Sequence, residues 1–508
     1  MTQKRFTASS LTGGINLTAE ENALEFFGER KAVQSEFRDI ENFAPINRGG
    51  LSKAKGFTMM QDTGTAAITG LHRYIKASNT RYFIYTAGTK AYHTDFTTST
   101  DLGVTLSNGA LTHFTTAKDT LIICDGVSAP QTWDGATASS ISQAEAAASR
   151  MTAYHQNRVW YFGNTSNPSL VYYSDPLTLD AGLSVNFVNC DVNDGQKITS
   201  MMPVFIPGEF GTVMVVTKER SVGLIIGDGS TSNPYAWVRI NEDAGVPGFR
   251  QLAQFGSDVA YLTPKGVTSY KTDVTDVNLV WRYISEKVRS AFLDLAQTQR
   301  HKAIMFYDTL RRRLGVACTE NGSSTNNVIW FYDVALDCWY KERWRGDHDC
   351  TAVLIDDDGT WYHGDSLGRI MKHQDDLHSF HGDPINAFIK TPFLSFGSPS
   401  QRKQCREAST VIRGNGSYAV GVSSVLDYGA RSNKSNQVIT AGSSTNWGGT
   451  GLTWGGSGLT WGAAPIVTRR FHPSGYFRQI QFTYTNAGVD EPIDLFELHF
   501  DIVYTSQT

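Results

Sequence analysis

Four metal-ligand side-chain types in a row are the first chemistry this chain offers, at Asp347-His348-Asp349-Cys350. A metal ion needs donors that converge from spaced positions, and neighbours on an extended chain point apart. The run is therefore expected to be a solvated loop rather than a metal site. Two His-Gly-Asp triplets, His363 to Asp365 and His381 to Asp383, read as turn chemistry, the first in a hairpin and the second at a domain junction.

The stretch Asp357-Asp358-Gly359-Thr360-Trp361 resembles the Asp-box turn of sialidase-type propellers, but it is one residue short and occurs once. A glycosidase needs two carboxylates flanking the scissile bond, and no convergent set of arginines and carboxylates is recognisable. A phosphate-binding loop and a strand-borne Gly-x-Gly-x-x-Gly are also missing from the sequence. The chain reads as a non-enzyme with no catalytic residue, metal site or cofactor.

Two clusters remain as contact candidates. Arg311, Arg312 and Arg313 form a basic run inside YDTLRRRLGVAC. They suit a hairpin turn with solvated charges, or a contact with a subunit or nucleic acid. Trp447, Trp454 and Trp461 recur every seven residues in NWGGTGLTWGGSGLTWG. The seven glycines of that stretch, each about 1 kcal/mol against helix, exclude an aligned indole stripe. In strand or loop, the odd spacing sends successive indoles to opposite faces. Core packing, a subunit or adaptor contact, a channel gate and glycan binding stay open for them.

The elements that must position these residues are β-strands. Aromatic or β-branched runs, each broken by a tight Gly/Asp turn, recur at Arg81 to His93, Asp119 to Gly126, Asn157 to Asp175, Thr212 to Gly229, Asp258 to Tyr270, Asn327 to Tyr340 and Thr360 to Lys372. Most of their starts lie roughly 40 to 60 residues apart, near the blade length of a β-propeller. Seven strand units, one of them completing a blade shared by the two chain ends, give an expected count of about six blades.

One segment breaks the rhythm. In Ser285 to Gln299, Val288, Phe292 and Leu295 fall at helical spacing, so a short helical connector between two blades is expected. From His381 onward fewer and longer alternating strands predict a β-sandwich. The expected division is an extended arm over 1–60, a propeller over 61–380 and a sandwich over 381–508, with the Trp/Gly loop at about 441–464.

Composition agrees with this all-β reading and limits partners. Of 508 residues 40% are hydrophobic and 47 are glycine, which suits a turn-rich globular chain. A net charge of −4 offers no basic excess with which to grip phosphates. The six cysteines form no CxxC pair and several lie in apolar strands, so buried free thiols are expected. The N-terminal stretch lacks the apolar core of a signal peptide, and no run of about 18 apolar residues could span a membrane. Folding in a reducing cytoplasm is expected.

In order along the chain, several segments resemble the tail nozzle, or packaged-DNA stabilisation, proteins of short-tailed bacteriophages. They are Gly13-Gly14-Ile15-Asn16, Asp39 to Phe57, Asp125 to Gly135, Asn167 to Pro176, Ala244 to Phe249, Asp258 to Tyr270 and Gly382 to Lys403. The resemblance implies a six-subunit ring, coaxial with the portal, that retains the packaged genome and opens on ejection. It implies a portal or adaptor ring and tail fibres, spikes or a needle as partners, transient contact with genomic DNA, and a place in the virion tail after assembly in the host cytoplasm. The Trp repeat and the details of the Ser285 segment map onto no feature of that family. A receptor- or glycan-binding propeller of the tail tip is the competing expectation.

Overall fold

The computed structural model describes the chain apart from residues 1, 21–23, 25, 28–33, 48, 65, 207–210, 243–244, 257, 273–278, 321, 415–416, 430, 441–465 and 506–508. It divides into two compact units. The larger holds Met59–Ile329 and Arg345–His373, and the smaller holds Met1–Thr58, Trp330–Trp344 and Gln374–Thr508.

The larger unit is a β-propeller. Its blades begin with the strands Ile68–Ile75, His113–Ala117, Met151–His155, Ile198–Ile206, Leu252–Phe255, Ile304–Asp308 and Ala352–Ile355. Each of these first strands lies against the next, and the last returns to the first. The first five open sheets of four antiparallel strands, and the sixth pairs with Arg313–Cys318. The last, with Trp361–Gly364 and Arg369–His373, takes its next strand, Phe57–Asp62, from the other end of the chain. Seven first strands thus follow one another round the ring, close to the expected count of about six blades. The seventh sheet is the blade shared by the chain ends that the seven strand units implied.

Apolar runs become strands here because both faces of each sheet are covered. In the third blade Trp160 and Phe162 pack with Met214, Val216 and Ile225 of the fourth. The alternate residues Val159 and Tyr161 pack with Ile122 and Cys124 of the second. Likewise Ile84 joins Leu121 and Ile123, while Phe83 and Tyr85 join Tyr362 and Ile370 across the closure of the ring. Period-2 alternation therefore feeds two cores rather than one core and water.

The turns use aspartate as the sequence suggested. Asp134 Oδ1 accepts from the backbone N–H groups of Ala136 and Thr137 at 2.8 and 2.7 Å, and Asp125 Oδ1 holds Val127 and Ser128 at 2.8 and 2.7 Å. First strands also crowd at the axis. A side-chain carbon on Gly70 would sit 2.1 Å from Thr112 Oγ1, so that approach requires glycine.

Between the fifth and sixth blades Glu286–Val288 and Arg289–Leu293 are helical, and they bury Val288 and Phe292, with Leu295 buried just beyond them. The expected connector is present. All six cysteines are buried and free, and burial pushes the Cys124 thiol up to about 12. No helix among the described residues is long and apolar enough to cross a membrane.

The smaller unit consists of strands from distant parts of the chain. Thr2–Ala8 pairs antiparallel with Ile493–Tyr504, which pairs on its other side with Lys403–Gly414. A second sheet runs from Asp39–Glu41 through Ala387–Lys390 and Ile480–Asn486 to Ser417–Leu426. The two sheets meet where Phe482 lies 4.8 Å from Phe500. The expected extended arm over 1–60 is therefore not separate from the C-terminal region. Its unpaired backbone N–H and C=O groups become ladder partners, the usual fate of an edge. The expected domain limit near 380 also shifts, since Trp330–Trp344 joins this unit.

Candidate functional site

The first strands of the propeller surround a cavity of about 600 Å³. Its walls are largely apolar, with Leu71, Met202, Ile304 and Leu354 among them, and its polar groups include His72, His113 and Arg250. None of the described lining residues is acidic.

Arg250 organises one part of the cavity. It ends the loop from the fourth blade, just before Leu252–Phe255. Its Nη1 donates to the carbonyl of Thr351 at 2.8 Å, and its Nη2 donates to the carbonyls of Thr112, at 2.7 Å, and Thr69. Those three carbonyls precede or belong to the first strands of the seventh, second and first blades. The backbone N–H of Met305, in the sixth, donates to the Arg250 carbonyl at 2.8 Å, and Ser200 Oγ, in the fourth, donates to that of Phe249 at 2.9 Å. Phe249 lies between two cations, with the Arg150 guanidinium 4.4 Å and that of Arg250 5.1 Å from its ring centroid. A short loop thereby ties together strands that the chain order keeps far apart.

Electrostatics at this knot are unusual. Burial, reinforced by the charge of Arg150, pushes the Arg250 guanidinium down to about 9. It stays charged at neutral pH with carbonyl dipoles, not a carboxylate, as its partners. His72 and His113 are neutral there. Burial takes the first down to about 4, with Arg73 adding to it, and the second to about 3, with Arg250 and His72 adding. His72 Nε2 lies 3.2 Å from Thr116 Oγ1, and its ring stacks on Phe114 at 5.4 Å.

Sequence reasoning missed this cluster. The segment up to Phe249 carried part of the family resemblance, but Arg250 received no role. A single cation between an uncharged turn and an apolar strand was the only signal available.

The singled-out residues fall elsewhere. Arg313 is buried, donates from Nε to Asp308 Oδ2 at 3.1 Å and lies over the Trp361 ring at 5.6 Å. Arg311 pairs with the same carboxylate at 3.0 Å. Arg312 alone is exposed, with a positive φ of 51° in the hairpin turn. As a contact candidate the run is thus reduced to one residue, because Asp308, three residues before Arg311, draws its neighbours inward. Trp447, Trp454 and Trp461 lie outside the described residues.

The expectation of a solvated loop at Asp347 to Cys350 holds for Asp347 only. His348, Asp349 and Cys350 are buried. Asp349 accepts from the backbone N–H and hydroxyl of Ser366 at 2.8 and 2.6 Å, and Asp365 accepts from Arg369 Nε at 2.5 Å. His363 is no turn residue either. It is buried in the strand Trp361–Gly364, with Nδ1 2.9 Å from Nε2 of His373, which stacks on Trp361 at 3.4 Å. The triplet's turn reading holds at Asp365, whose Oδ1 accepts from the backbone N–H groups of Leu367 and Arg369 in the hairpin. His363 and the tetrad were misread for one reason: polar residues next to Gly or Asp look like turns until their hydrogen-bond partners are known.

No protein-family model matches the chain, and no curated protein does. Among solved structures it is similar to YCF48 from Cyanidioschyzon merolae at 9% identity, over 63% of this chain and 98% of that one, with a TM-score of 0.40. The WD40 β-propeller domain of Doa1 matches at 8% identity, over 63% and 97%, with a TM-score of 0.40. BamB from Moraxella catarrhalis matches at 12%, over 67% and 96%, with a TM-score of 0.39. The propeller itself is read from the strand order above.

Proposed function

We propose that this chain is a structural subunit of a bacteriophage tail, a nozzle protein that assembles into a ring of six, retains the packaged genome and lets it pass on ejection. The ordered resemblance from Gly13 to Lys403 gives the reading its identity. One structural observation carries it further: the Arg250 knot ties the first strands of several blades to each other. A cavity of about 600 Å³ crossed by such a knot suits a small molecule and not a duplex. DNA would therefore run beside the blades, along a channel made by several copies. A net charge of −4 fits a wall past which DNA slides, since each added phosphate contact strengthens binding steeply. Its neighbours would be a portal or adaptor ring and the tail fibres, spikes or needle, and its place the virion tail.

A receptor- or glycan-binding propeller of the tail tip is the second reading. It draws on the exposed apolar residues Leu177, Val185, Phe187 and Val192 in the third blade, the kind of surface a partner covers. Electron microscopy of the purified protein separates the two. Six-fold rings are expected for a nozzle, and trimers would sink that reading in favour of a receptor-binding tip.

A further inference from the structure

The axial cavity has a property that a purely structural hub does not need. Arg250 uses three N–H groups on carbonyls, and its remaining donors have no acceptor among the described residues. His113, on the same cavity, has no hydrogen-bond partner for either ring nitrogen among those residues, and its Nδ1 is fully buried. By contrast the hydroxyls are engaged: Thr115 with the carbonyl of Thr152 at 2.8 Å, Thr152 with Thr115 Oγ1 at 2.9 Å and Ser200 with Phe249. Buried polar atoms without partners are rare in native proteins, because each is destabilising unless something completes it.

What would complete them follows from the walls. A cation with spare donors and no carboxylate nearby calls for an anion. A neutral imidazole beside it accepts or donates a further hydrogen bond. The rest of the surface, Leu71, Met202, Ile304, Leu354 and Ile355, is apolar and suits a hydrocarbon body. A few convergent polar groups in a largely apolar concavity is the usual build of a small-molecule site.

From this geometry we infer that the axial cavity binds a small organic carboxylate with an apolar body, its carboxylate on Arg250 and His113 and its hydrocarbon part against the first strands. Occupancy would add bonds at the point where the first, second and seventh blades are already tied, so the ligand would brace the closure of the ring of blades. This inference stands independently of the tail assignment.

Octanoate tests it by isothermal titration on the full chain. Octan-1-ol keeps the body without the charge, and inorganic phosphate keeps a charge without the body. Saturable binding of one octanoate per chain is expected, with both controls at least about tenfold weaker. His113→Phe keeps the ring volume and should weaken octanoate by about tenfold while leaving the fold intact. Arg250→Lys should abolish the preference for octanoate over octanol. Should that variant fail to fold, His113→Phe and the two controls still decide. No saturable octanoate binding, equal binding of octanol or phosphate, or unchanged affinity in His113→Phe would each overturn the inference.

Discussion

The two units solve the same problem, pairing strands and covering their faces, by opposite routes. In the larger one a strand pairs with its sequence neighbour across a short turn, as His113–Ala117 does with Thr120–Cys124. In the smaller one the ends of the chain meet: Arg5 donates to Asp501 at 2.8 Å across 496 positions. Register is set differently in consequence. Blade hairpins take it from their turns, where Asp125 and Asp134 fix the backbone. Ile493–Tyr504 takes it from the core and from a bulge. Leu495 faces Ile412 and Glu497 faces Val411, so Phe496 is an extra residue between them. Beyond it the buried set continues in phase as Leu498, Phe500 and Ile502. Local pairing writes itself into short motifs, whereas distant pairing leaves only alternation.

Acidification is expected to give the largest effect and to strike the larger unit hardest. His72, His113 and His155 have folded values lowered by burial to about 4, about 3 and about 4. Above about pH 6.5 both folded and unfolded chains keep them neutral, and stability is full. As pH falls towards 4 the unfolded chain takes up protons that the folded one refuses, so stability is lost. Thermal melts between pH 7 and 4 with blade-specific hydrogen exchange check this, and equal loss in both units would break the contrast.

Next come the cores. Trp160→Ala in the third blade and Phe500→Ala in the smaller unit should each cost about 3–5 kcal/mol by denaturant titration. Pulse-labelling during refolding should protect Thr120–Cys124 before Thr2–Ala8, because non-local pairing closes long loops first. The reverse order would contradict the division into local and distant pairing.

Lys218→Met follows. Its Nζ is fully buried and bonds Asp194 Oδ2 at 2.7 Å and the Cys190 carbonyl at 2.6 Å. Burial alone would raise the Asp194 carboxyl, but Lys218 and the backbone N–H of Gln196 hold it below its usual value. Losing the cation should cost about 2–4 kcal/mol, less than for a wholly buried pair because Asp194 keeps some contact with water. Asp125→Ala, which orphans the backbone N–H groups of Ser107, Val127 and Ser128, should cost about 1–3 kcal/mol. Arg5→Gln should be smallest, within the error of a melt, since Arg5 lies on the surface. A large effect there would mean that the chain ends are joined by more than their ladder.

Legibility followed the range of the interactions. Strand units, the Val288-Phe292-Leu295 connector and the buried thiols were readable, because each depends on neighbours within a few residues. Arg311 and Arg313 were not, since solvation or burial turned on whether Asp308 and Trp361 lay within reach. Nor were His363 and Asp349, whose polar character suggested turns until His373 and Ser366 were in place. The Trp repeat stays where the sequence left it, outside the described residues.

By itself the sequence determined an all-β chain of repeated hairpins, because backbone alternation and turn chemistry are local and are repeated in every blade. Only the tertiary structure decided that the chain ends build one sheet and that Arg250 sits among carbonyls on the axis. Those outcomes depend on which unpaired backbone groups and which uncompensated charge come together once the blades close, and no short stretch of sequence holds both partners.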